Sequence, residues 1–157
     1  MNLHDRAVSF EETDATYMTS SALKGFGPSG KEEIVRFLAR ARLLPSIPIN
    51  YLDLRGIDLS GANLSGAQWS SDNLSGANLS NANLSRASLY DVNLSDADLS
   101  NANLSGVLLE VADLRDADLS SADLSGARLL SAKVAEDQLE RAESLAGATM
   151  PDGSQHP

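Results

Sequence analysis

The sequence has no cysteine, two histidines, and only one Trp, three Tyr and three Phe among 157 residues. Without cysteine there are no disulfides, no thiol nucleophile and no cysteine metal site. The two histidines, His4 and His156, lie at the termini, which leaves a Ser-His-Asp set or a multi-histidine metal site almost nothing to draw on. At 4% aromatics, the core is not a conventional aromatic-rich one. Basic residues are also scarce: 12 Lys plus Arg stand against 22 acids, a net charge of −10. That argues against direct binding to nucleic acid phosphates or to anionic membranes. No apolar run approaches a membrane span, and the first residues lack the apolar stretch of a signal peptide. The expected location is the cytoplasm. What remains is 42% apolar and 22% charged, the composition of one folded, soluble domain.

A repeat dominates the rest. In steps of five from Leu54 to Leu129 there are sixteen positions, and fifteen are Leu, with Trp69 the exception. Two residues before each stands a second column, mostly Ala, with Leu52, Ile57, Val92 and Val107 as larger members and Asp72 as the one polar break. Asp or Asn usually precedes the Leu and Ser usually follows it, giving A-(D/N)-L-S-x. A period of five fits neither helix nor strand. Each unit therefore reads as a short extended piece and a turn, with the Leu and the residue two before it on one side. A single unit cannot bury its Leu; stacked coils can, along a continuous inner stripe. Each buried Leu contributes about 1.5–3 kcal/mol gross, much of it offset by ordering the chain.

The exceptions to Asp or Asn before the Leu set the size of a coil. They are Gln68, Ser88, Leu108 and Arg128, spaced by twenty. Four units then make one coil, and the sixteen units make about four coils. On these residues the sequence resembles the pentapeptide-repeat proteins. The resemblance implies an all-β solenoid, a right-handed quadrilateral parallel β-helix, without enzymatic activity of its own. The tail, Gln138-Leu139, Ala142 and then Ser144 to Gly153, is similar to an ending common in cyanobacterial members.

The expected organisation is an N-terminal helical segment, 1–50, a repeat β-helix, 51–131, and a C-terminal helix and tail, 132–157. Residues 31–44 read as an amphipathic helix. Ser29 and Glu32 suit a capping box, the stripe is Ile34, Val35, Phe37, Leu38, Ala41 and Leu44, and Pro45 and Pro48 stop it. A weaker helix is expected over 14–24. The 31–44 helix is the natural cap for the first coil, because open solenoid ends are pairing templates. Residues 135–143 read as a short helix over the last coil, with Leu139 and Ala142 inward. Leu145 and Met150, again five apart, suggest a partial further coil.

Two surfaces stand out. The outward positions of the irregular face include Tyr90, Leu108, Glu110, Val111, Arg128 and Leu130, where other outward positions are almost all Ser, Gly, Asn or Asp. Either the chain's own helical segment covers this cluster or it is an interface, with an unknown protein partner or in a homodimer. The second surface is acidic: Asp58, Asp98 and Asp118 on one face, with Asp96 and Asp116 at its leading corner. A solvated polar face is the plain reading. The functional one is DNA mimicry, for which the resemblance supplies a precedent in the quinolone-resistance branch, whose members present an acidic rod to DNA gyrase. This sequence departs from that branch in having Leu rather than Phe at the central positions and no inserted loops. Asp113, Asp116 and Asp118 lie close together, yet the glycine-rich Ca²⁺ repeat is absent. Asp and Asn before the Leu are expected to bond nearby backbone and shape the turn. No group is placed to activate the many serines. No catalytic residue, cofactor or metal is expected. Asp72, inside an apolar column beside Trp69, must be hydrogen-bonded, protonated or displaced.

Overall fold

The computed structural model describes residues 25–40, 42 and 53–157. The expected helix over 14–24, the stops at Pro45 and Pro48, and Ala41, Leu44 and Leu52 lie outside the described residues.

From Asp53 onward every fifth residue pairs in parallel with the residue twenty later: Asp53 with Asn73, Asp58 with Asn78, Asn63 with Asn83, Gln68 with Ser88, and so on up to Asp113 with Lys133. Four such contacts per twenty residues make a four-sided parallel solenoid. Each side is only a few residues long. The amide of Leu74 donates to Asn93 at 2.8 Å and the amide of Asn93 donates back to Asp72 at 3.0 Å, and the same ladder recurs up the stack. Between sides the chain turns sharply, with the amide of Ala62 donating to the carbonyl of Leu59 at 3.1 Å and equivalents at the other corners. The third residue of each turn has positive φ, as in a type II turn. Gly holds this place at Gly56, Gly61, Gly66, Gly76, Gly106 and Gly126; the rest are polar residues and one valine, Val111.

The period of five thus has a local cause. Three extended residues put the Leu and the residue two before it inside, and a two-residue corner turns the chain to the next side. Every Leu of the column from Leu54 to Leu129 is buried, as are Trp69 and the Ala and Val column, Ala62 excepted, which is half-buried. Asp72 remains inside at 1% exposure, beside the fully buried Trp69.

Helix α1, Pro28–Arg40, closes the first end. It starts three residues before the expected 31, because proline at a first helical position costs no hydrogen bond and brings a suitable φ. Ser29 therefore lies within the helix rather than capping it. Val35, Leu38 and Ala39 join the solenoid core, and Ile34 packs beside them. Phe37 does not: it is 64% exposed, since two residues on from Val35 is the opposite side of a helix.

Helix α2, Glu136–Leu139, is shorter than the expected 135–143. The chain must leave it to resume the stack, where Ser144 pairs with Asp123 and Thr149 with Arg128. These separations are twenty-one rather than twenty, so the helical turn adds one residue. Leu145 and Met150 then pack against the core. After the turn at Pro151 the chain doubles back, and Gln155 pairs antiparallel with Thr149, covering one end edge. Among the described residues no helix is long and apolar enough to cross a membrane.

Candidate functional site

The residues singled out from sequence fall on two different sides. Gln68, Ser88, Leu108, Arg128 and Thr149 stack in one ladder, and Asp58, Asn78, Asp98 and Asp118 in another.

On the second side the acids serve the turns. Asp98 Oδ1 accepts from the Ser100 amide at 2.9 Å and the Ser100 hydroxyl at 2.6 Å. Asp118 does the same with Ser120, at 2.9 and 2.6 Å, and Asp58 accepts the Ser60 amide at 3.0 Å. These bonds hold two carboxyls below their ordinary range: Asp118 first through the Ser120 hydroxyl, Asp58 first through the Ser60 amide. The repeat serines here are donors to their own loop. Residues 56–61, 76–81, 96–101 and 116–121 contain five Asp and no Lys or Arg. The two helices supply the cations at the ends. Arg36 of α1 pairs with Asp58 at 3.2 Å, and Arg141 beyond α2 also lowers the Asp118 carboxyl by its charge. Asn78 interrupts the stack, so Asp98 and Asp118 are its only directly paired carboxylates.

The first side is built differently. Leu108 has no oxygen to close a turn, so its unit gives up the bond that Asp98 and Asp118 make on the other side. At the adjoining corner Tyr90, Val111 and Leu130 are 51%, 40% and 44% exposed. Glu110 lies between them, its side chain 14% exposed, paired with Arg128 at 2.8 Å. Val111 has φ of 62°, a value that β-branched residues adopt only under strain. Asn81 and Asn101 hold the same turn position elsewhere. Helix α1 is not the cover for this cluster. It is anchored at the solenoid's end, through Arg36 and through Lys31 Nζ, which donates to the Asp53 carbonyl at 2.9 Å.

Three functional details escaped the sequence reading. Lys31 and Arg36 as anchors need the end geometry. The strain at Val111 had a signal in the run of Gly, Asn and Asp two residues after each Leu. Gln138 occupies the place before an inward Leu where Asp or Asn usually stands. It is buried, with Nε2 donating to the Leu114 and Ala117 carbonyls at 2.8 and 2.7 Å and Oε1 accepting the Ala135 amide at 2.9 Å. It thereby satisfies carbonyls that the helical turn leaves without a strand above them.

Remaining charge groups hold corners together. Arg115 and Lys133 both meet Asp113, at 2.6 and 3.4 Å, and Arg55 meets Asp53 at 2.8 Å. The Arg115 and Arg55 hydrogen bonds bring the Asp113 and Asp53 carboxyls down to about 2. Among the described residues no group of three His, Cys, Asp or Glu side chains is placed to hold a metal ion.

Residues 53–91, 73–106 and 93–129 match the family model described as pentapeptide repeats, in eight copies. No curated protein matches the sequence. Solved structures do. A pentapeptide repeat protein from the Arabidopsis thaliana thylakoid lumen is 25% identical, over 81% of this chain and 70% of that one, with a TM-score of 0.39. HetL, a pentapeptide repeat protein involved in heterocyst differentiation regulation in the cyanobacterium Nostoc, is 34% identical, over 69% and 58%, with a TM-score of 0.28. The plasmid-mediated fluoroquinolone resistance protein QnrB1 is 23% identical, over 66% and 62%, with a TM-score of 0.39. The chain spans less than two thirds of the length of the latter two.

Proposed function

The chain belongs to the pentapeptide-repeat family through residues 53–129, and from that premise we propose that it is a non-catalytic scaffold whose irregular face binds another protein. The reading takes the solenoid, 51–131, as a right-handed β-helix of about four coils between an N-terminal helical segment, 1–50, and a C-terminal helix and tail, 132–157. It takes the protein as cytoplasmic and without cofactor. One observation carries it. Tyr90, Val111 and Leu130 are exposed at one corner, with half-buried Leu108 beside them, while the rest of the described solenoid surface exposes no large apolar residue, and Val111 is held there at positive φ. Backbone strain of this kind costs of order 1 kcal/mol or more and persists where something else is gained. Exposed apolar clusters mark interaction sites.

The test is capture of partners from the source cell by wild type, by a Tyr90→Ser, Leu108→Ser, Leu130→Ser variant, and by an Asp96→Asn, Asp98→Asn, Asp116→Asn variant. The reading expects a partner lost only by the first variant. A partner kept by the first and lost by the second would overturn it.

An acidic mimic of DNA, acting on DNA gyrase or another topoisomerase, is the second reading. It is favoured by the five Asp that share one side without a basic residue of the repeat. A supercoiling assay at micromolar protein decides it. Inhibition abolished by the Asp→Asn variant would establish the mimic, and no effect would sink it.

A further inference from the structure

We propose that the partner at the irregular face is a second copy of this chain, packed with its solenoid axis antiparallel to the first. The inference rests on the scaffold reading and names the occupant of the same surface.

Charge selects the occupant. The chain carries a net −10, so two copies repel each other across most of their surfaces. The side of Asn63, Asn83, Asn103 and Asp123 is neutral as well but exposes no large apolar residue; the irregular side combines neutrality with exposed apolar side chains. Its segments 66–71, 86–91, 106–111 and 126–131 contain Arg86 and Arg128 against Asp91 and Glu110, a balance of zero. Glu110 and Arg128 already neutralise each other at 2.8 Å. A second copy therefore meets here a smaller like-charge cost than the side bearing Asp58, Asp98 and Asp118 would impose.

The layout selects the orientation. Tyr90 and Leu130 occupy the same corner position one coil below and one coil above Glu110, while Leu108 and Val111 lie in the coil between. The apolar set is thus nearly symmetric about that middle coil. A two-fold axis through it, perpendicular to the solenoid, sets Tyr90 of one copy against Leu130 of the other. Leu108, Glu110 and Val111 then meet their own counterparts, each Glu110 paired with Arg128 of its own chain, and Arg128 meets Ser88. Aligning the axes in parallel would instead set Arg128 as well as Glu110 against its own counterpart. A two-fold contact of this kind uses one patch on both copies and closes on itself, so it yields a dimer and not a filament.

The absence of cysteine makes the test direct. Single cysteines are introduced as Tyr90→Cys, Leu130→Cys and, on the acidic side, Asn101→Cys, and treated with a bis-maleimide that spans the ~10 Å between packed sheets. The proposal expects mixed Tyr90→Cys and Leu130→Cys chains to cross-link to each other at least tenfold faster than either to itself. It expects Asn101→Cys chains to stay single. Links within each variant but not between them would overturn the antiparallel pairing. No links, with a wild type that remains a monomer by light scattering into the high micromolar range, would overturn self-association altogether. The scaffold reading fails separately, in the capture experiment, if the irregular-face variant keeps every partner. Melting curves of each variant establish that the chains compared are folded.

Discussion

The two sides of this solenoid that carry charge or apolar surface are built on the same backbone and differ in what they do with it. On the side of Asp58, Asp98 and Asp118, each acid closes its own turn with the following serine. On the side of Ser88, Leu108 and Arg128, Leu108 closes none and Val111 sits at a φ suited to Gly or Asn. The first side is what the repeat becomes when its own stability decides the residues. The second departs from that optimum in two independent ways within one coil, 108 and 111. A local rule is broken twice in the same place, with no compensating hydrogen bond at Leu108 or Val111 side chains among the described residues, which is the ground of the proposal that the gain lies outside the chain.

The comparison can be broken first at the core, where the two sides should not differ. Leu99→Ala and Leu109→Ala lie behind the acidic and the irregular side respectively, and both are fully buried. Each is expected to cost about 3 kcal/mol in chemical denaturation. A clear difference between them would mean that the sides differ inside as well as out.

The corner should separate them. Val111→Asn is expected to raise stability by about 1 kcal/mol, because it relieves a β-branched residue at positive φ. Ser121→Asn, at the equivalent corner of the acidic side, should change it by less than about 0.5 kcal/mol.

Removing the turn acceptor gives a smaller effect of opposite sign. Asp98→Ala loses the bonds to Ser100 and should cost about 1 kcal/mol, whereas Leu108→Ala should be close to neutral. Equal losses would refute the claim that the Leu108 unit has given up its turn bond.

Acid gives the smallest difference. The Asp58 and Asp118 carboxyls are lower in the fold than in the free chain. Their contribution is therefore complete above the ordinary carboxylate range, near pH 4, and is lost as the pH falls through their folded values. Asp113, at about 2, behaves likewise between about pH 4 and pH 2. Asp58→Asn with Asp118→Asn should flatten the fall in melting temperature over that range, and Tyr90→Ser should leave its slope unchanged.

Much of this was legible in the residues. The Leu column, the Ala column and the twenty-residue spacing of Gln68, Ser88, Leu108 and Arg128 reported which residues share a side, because a stacked coil repeats its geometry and so repeats its composition. The turn role of Asp and Asn followed from their short acceptors. Other features depend on where the stack ends. The apolar stripe that includes Phe37 spreads too far round a helix to be buried whole, and docking on the first coil buries Val35, Leu38 and Ala39 and leaves Phe37 exposed. Gln138 reads as one more polar residue until the helical turn leaves two carbonyls for it to satisfy. Helix length fits both a cover for the irregular face and a cap on the end; anchoring through Lys31 and Arg36 takes α1 to the end of the rod.

The most direct test of the central claim joins stability to association in one variant. Solution mass and denaturation are measured for wild type and Val111→Asn over the same concentration range. The account predicts that Val111→Asn is the more stable fold at high dilution and yet the weaker dimer. A variant that gains no stability, or that associates as well as wild type, would contradict it.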